Sequence, residues 1–187
     1  MKTAKKALWI GLAMAAGGAA LLSLGVVADG DDHRWRGWGQ RTDFASVTDQ
    51  TYLTECGGCH MAYQPGMLPA ASWGRIMENL QDHFGDNAEL DEPVRRHIQG
   101  LLERNAADRV SSGRSPKVMR SLSGQAPLRF TETRYFRRKH HEIPTRIVMQ
   151  NPQVGSFANC DACHAGANKG NYDEHQVRIP GAGYWDD

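Results

Sequence analysis

Residues 56–60 read "CGGCH" and residues 160–164 read "CDACH", and together they use every cysteine in a chain of 187 residues. Each has the spacing C-x-x-C-H, which attaches haem of the c type. The chemistry accounts for the spacing. Two thiols three positions apart can add to the two vinyl groups along one porphyrin edge. The histidine beside the second thiol then reaches the iron from the proximal face. Three other readings use the same residues. A four-cysteine zinc site takes C-x-x-C pairs but needs no histidine after each. A thioredoxin-like dithiol needs a βαβ setting that the sequence does not offer. Two structural disulfides would make the repeated histidine a coincidence. The motifs therefore predict two covalently bound haem c groups on Cys56, Cys59, Cys160 and Cys163, with His60 and His164 as proximal iron ligands.

Working outward, the N-terminus explains how such cysteines would meet their haems. Lys2, Lys5 and Lys6 precede an apolar run rich in Ala, Leu and Gly that ends near Leu24, and Val26-Val27-Ala28 offers small residues for cleavage. This pattern predicts a signal peptide over residues 1–28 and export to the periplasm, with a retained N-terminal anchor as the alternative. Cleavage would leave no membrane insertion. It also removes three lysines, so the 22 basic residues fall to 19 against 21 acidic ones, a balance of −2. That is not the charge of a nucleic-acid binder. Large apolar side chains are sparse in the remaining 159 residues, and a chain of this kind is expected to need something other than its own side chains to complete its core.

The periodicity predicts a mainly α protein with much irregular chain, in two haem-bearing halves. A short helix capped by Thr48 or Asp49 leads into Cys56. From Ala70 the apolar positions Trp73, Ile76, Met77, Leu80 and Phe84 follow a helical period, with His83 on the same stripe and Gly85-Asp86-Asn87 ending the helix. Asp91 and Pro93 open another helix, with Val94, Ile98, Leu101 and Leu102 on one face and His97 among them. Residues 105–127 are polar and rich in Ser and Gly, and read as the boundary between the halves. The division is a haem domain over 29–110 and a second over 111–187. A short helix capped near Thr131 carries "TRYFRRKHHE" towards the second motif.

Each iron has a far-side position, and its occupant sets the chemistry. Histidine or methionine there gives an electron carrier, whereas an open position permits O₂ or peroxide chemistry. For the first haem, His83 and His97 both fall on apolar faces. His83 is nearer its motif and keeps company with Trp73 and Phe84, so it is favoured over His97, with Met61, Met67 and Met77 behind. For the second haem, 100° per residue places His140 about 40° from Phe136 and His141 about 140° away, beside Arg137 and Arg138. His140 shares the apolar face. His141 and His175 stay as alternatives, with Met119 and Met149 weaker. His33, between Asp32 and Arg34, reads as solvated.

At this point the longer blocks carry a resemblance. "CGGCHMAYQPGMLPAASWGRIMENLQDHFGDNAEL", "RFTETRYFRRKHHEIP" and "NCDACHAGANKGNY" resemble the periplasmic dihaem cytochrome c family known as DHC, over most of the chain after residue 28. The resemblance implies an N-terminal half like a class I cytochrome c and a less familiar C-terminal half. It also implies two low-potential haems with bis-histidine ligation, in which His83 and His140 are the distal ligands. Members of the family are thought to pass electrons to a small monohaem cytochrome that binds O₂, with a membrane b-type cytochrome as a plausible donor. The resulting expectation is a one-electron carrier, not an enzyme, working as a monomer or weak oligomer. A dihaem peroxidase or a gas-binding sensor would need one five-coordinate iron, and a structural place in a larger multihaem assembly is a third class.

Overall fold

Six short α-helices and a two-residue hairpin at the C-terminal end carry the described part of the chain, residues 42–185 of a computed structural model. These residues belong to one unit of packing. The expected signal peptide and His33 lie outside the described residues.

Helix α1, Gln50–Cys56, begins where the Asp49 carboxylate accepts the Tyr52 amide N–H at 2.9 Å, satisfying one of the unpaired donors of the first turn. It ends at the first motif cysteine. Gly57 forms the cap, and a Cβ at this position would run into the Leu53 carbonyl, so the motif can turn here only on glycine. Helix α2, Ala70–Glu78, buries Ser72, Trp73 and Met77. Helix α3, Glu92–Arg104, starts after Asp91 with Pro93 in its first turn, and buries Ile98 and Leu102 against α2. Tyr52, Leu68, Trp73, Met77, Leu80, Ile98 and Leu102 form the larger apolar cluster.

The chain departs from the expected helix after Glu78. Asn79 leaves helical geometry (φ −127°, ψ 41°), and its side-chain amide donates to the Asp82 carbonyl across a 3-10 turn, Leu80–Asp82. Phe84 then takes φ 59°, a left-handed conformation rare for an aromatic residue, and Gly85 follows at φ 107°. His83 therefore sits in a tight turn with Asp86, not on a helical stripe, and Phe84 is exposed. Asn competes for its own backbone in this way wherever no continuous apolar face holds a helix together.

The polar stretch 105–127 also holds more structure than its composition promised. Helix α4, Ser115–Ser121, has Pro116 in its first turn and a fully buried Val118. Helix α5, Arg134–Lys139, is capped by Thr133, two residues beyond the position expected. Its hydroxyl accepts the Phe136 N–H at 3.0 Å and donates to the Phe130 carbonyl at 2.8 Å. Helix α6, Thr145–Met149, follows Pro144. Strands β1, Arg178–Ile179, and β2, Gly183–Tyr184, pair antiparallel, Arg178 opposite Tyr184. A smaller cluster of Phe44, Met67, Val118 and Tyr135 joins these elements. Phe44 is held there because the Asp43 and Phe44 amides both donate to the carbonyl of Gly170, which has φ 71°.

Candidate haem sites

Each motif histidine meets a second histidine far from it in sequence. His60 and His83 face each other with ring centroids 6.2 Å apart and planes 22° apart. His140 and His164 have the same centroid separation, with planes at 71°. Metal–imidazole bonds run about 2 Å, so two rings on opposite faces of one metal have centroids about 6 Å apart. Both pairs have the spacing that one iron fits.

Local structure orients the rings. His60 Nδ1 lies 2.7 Å from the Met61 carbonyl, and His140 Nδ1 lies 3.0 Å from the Phe136 carbonyl. A carbonyl only accepts, so Nδ1 donates in both, and the neutral tautomer carries its lone pair on Nε2. His140 follows α5 directly and stacks on Phe136, with centroids 3.9 Å and planes 14° apart. Burial, with His140 alongside, pushes the His164 imidazole down to about 4, and burial also lowers His83. Neutral imidazole is the form that binds a metal.

The other histidines stand away from both pairs. His97 is half exposed, and its Nε2 lies 2.8 Å from Asp49 Oδ2, so it braces the cap of α1. His141 is exposed, its Nδ1 against the Arg138 carbonyl at 2.9 Å and its Nε2 3.6 Å from Glu142. His175 is exposed in a 3-10 turn. Met67 and Met77 are buried in the two clusters and also line the cavity at the first motif, and Met149 is exposed.

None of the four cysteines is in a disulfide. Burial pushes the Cys56 thiol up to about 11 and the Cys160 thiol up to about 12, the opposite of the depressed values that mark a redox-active pair. Cys56 and Cys59 open onto a cavity of about 680 Å³ whose walls include His60, His83, Trp73, Met77 and Leu80. Much of its wall is drawn from the apolar cluster, and these residues fit a large flat apolar ring tethered at one edge. The second site is narrower. Cavities of about 50 and 80 Å³ share His140, Ile143 and His164 as walls, and the smaller contains Cys160 and Cys163.

The sites adjoin. Phe130 lines all three cavities, and Cys160 lines the first-site cavity as well as its own. Tyr63 packs against His60 at 5.2 Å and donates its hydroxyl to the Ala158 carbonyl at 2.5 Å, two residues before Cys160. Tyr172 packs against His164 at 5.3 Å. Sequence reasoning did not single out Tyr63, Phe130 or Tyr172. Tyr63's spacing of three from His60 is the one available signal.

Two thiols and two histidines at each of two sites in a mainly helical chain define a c-type cytochrome carrying two haems, an iron-binding electron-transport protein. The comparisons with known proteins agree. The family model for dihaem cytochrome c matches residues 52–172, and the chain belongs to that family. A diheme cytochrome type c from Shewanella baltica OS155 is similar at 45% identity and TM-score 0.62, over 73% of this chain and 97% of that one. A diheme cytochrome c from Rhodobacter sphaeroides is similar at 42% identity and TM-score 0.60, over 68% of this chain and 99% of that one. No curated protein sequence matches this chain. The protein carries two covalently attached haem c groups.

Proposed function

We propose that this chain is a periplasmic electron carrier whose two low-potential haems are each ligated by two histidines, His60 with His83 and His164 with His140. The observation that carries the reading is the pair of 6.2 Å imidazole–imidazole separations. When bound, each haem supplies an iron that cycles between Fe(II) and Fe(III). His60 with His83, and His164 with His140, would hold the two irons between them and would leave no position for a substrate. Neutral imidazoles on both faces give lower potentials than His/Met ligation. The carbonyls of Met61 and Phe136 strengthen the effect by drawing on Nδ1–H and raising the basicity of the ligating nitrogen.

Phe130 and Cys160, shared by the two sites, support electron exchange between the haems inside the molecule. The N-terminal half, residues 29–110, carries the first haem in a class I-like setting, and 111–187 carries the second. Among the described residues no helix is long and apolar enough to cross a membrane, and the signal over 1–28 directs export. The partners fitting this role are a membrane b-type cytochrome as donor and a small monohaem protein as acceptor. Such contacts are brief and small. A dihaem peroxidase or gas sensor would need an iron with one imidazole. The ferrous protein at neutral pH is therefore expected to leave its Soret band unmoved under CO, and a CO-shifted Soret band would overturn the closed-carrier reading.

A further inference from the structure

The two cavities at the second site differ in kind. The one of about 50 Å³ contains both motif thiols, Cys160 and Cys163, and no charged side chain. The one of about 80 Å³ shares His140, Ile143 and His164 with it but contains neither thiol, and its walls include Arg114, Lys139 and Glu174. This partition matches the polarity of the haem. Its vinyl groups lie on one edge and its two propionate carboxylates on the opposite edge. Thiols that take the vinyl edge send the carboxylates across the iron, into the cavity with the cations.

We propose that Arg114, assisted by Lys139, binds the propionate carboxylates of the second haem. The proposal rests on His140 and His164 as that haem's axial ligands. Arg114 is built for the task. Its Nε donates to Asp43 Oδ1 at 2.6 Å and its Nη1 to the Tyr135 hydroxyl at 3.3 Å. Asp43 does not line the cavity, and its other oxygen accepts the Tyr172 N–H at 2.7 Å. Asp43 thus holds the guanidinium from outside the cavity and Tyr135 from its wall, and of its five N–H donors those not given to these two are left for a ligand there. A planar fork of this kind suits carboxylates. Lys139 lies 3.4 Å from Glu174 at the rim.

A cation held at the propionates favours the iron in its less positive, ferrous state. Spectroelectrochemical titration of the two-haem protein tests this, with the second haem marked as the one whose potential rises in His140→Met. Arg114→Gln is expected to lower that haem's potential and leave the other unchanged. Asp43→Asn, which removes a negative charge from the same guanidinium, is expected to raise it, and Arg114→Lys to stay nearer the parent than Arg114→Gln. Loosened packing would move both charge variants in one direction. Shifts of the same sign, no shift, or a shift at the other haem would overturn the proposal. If Arg114→Gln yields no haem-loaded protein, the sign of the Asp43→Asn shift decides. CO binding by the parent protein would instead overturn the ligand reading, independently of these variants.

Discussion

At the scale of the residue, what separates the histidines is the company each imidazole keeps. His97 lies on α3 at a spacing that its neighbours Val94 and Ile98 make look apolar, yet its ring goes to Asp49. His83 is in a turn, and it comes opposite His60 because Asn79 ends α2 and Phe84 accepts φ 59°. Replacing His83 or His140 with Met is expected to raise the potential of one haem by on the order of 0.1 V, a fraction of the roughly 0.8 V that axial ligation spans. His97→Gln and His141→Gln are expected to leave both potentials in place. Two resolved midpoints in each variant give the check, and a large shift in His97→Gln or His141→Gln would reassign the ligand. His140 has itself left helical geometry (φ −122°, ψ 11°), but its amide still donates to the Phe136 carbonyl at 3.1 Å, so the single turn from Phe136 read in the sequence brings its ring onto Phe136. The route of His83 was not legible, since it depends on a left-handed residue that no apolar pattern announces.

At the scale of the element, the helices legible from the middle outward were those with an apolar stripe, since neither α2 nor α3 has a side-chain cap bond. Helix α3 has Asp91, Pro93 and the buried pair Ile98 and Leu102, and it appears where the pattern put it. Helix α4 has Pro116 but Val118 as its one buried apolar residue, beside the buried Ser115, too little for a period to register in seven residues. Helix α5 is only six residues long, below the length at which a helix holds in water, so its cap and packing must fix it. Thr133 is buried, and its hydroxyl is both donor and acceptor in the cap. Thr133→Ala should therefore lower the unfolding free energy of the haem-loaded protein by about 1–2 kcal/mol. Thr133→Ser, which keeps the hydroxyl, should lose much less. Equal losses in the two variants, read from denaturant midpoints at constant slope, would show that the methyl group and not the cap matters.

At the scale of the whole molecule, the two motif-bearing segments are stitched together across the boundary read at residues 110/111. Tyr63 bonds to Ala158, Asp43 to Arg114 and Tyr172, and the buried Gln64 to Ala167 and Tyr172. No pattern in the sequence could pair Gln64 with partners 103 and 108 positions away, because such contacts exist only once both segments have folded. The division into 29–110 and 111–187 is therefore proposed for the haems each part carries, with folding common to both. Gln64 is the sharpest probe of that linkage. Its Nε2 donates to the Ala167 carbonyl at 2.8 Å, and its Oε1 accepts the Tyr172 hydroxyl at 2.7 Å. Gln64→Leu strands the Tyr172 hydroxyl, whereas the Ala167 carbonyl keeps the Gly170 N–H at 2.9 Å. At about 1–3 kcal/mol for the stranded group and about 0.5–1.5 kcal/mol for the other lost bond, the loss should be about 1.5–4.5 kcal/mol. Tyr172→Phe removes one bond and should cost less. The double variant, with no hydroxyl left to strand, should cost less than the sum of the two changes. Across the series both Soret bands should shift in one transition that moves to lower denaturant as a unit. Two separate midpoints, with only the second haem's Soret band shifting early in Gln64→Leu, would show instead that the halves fold independently and that the bonds between them join finished domains.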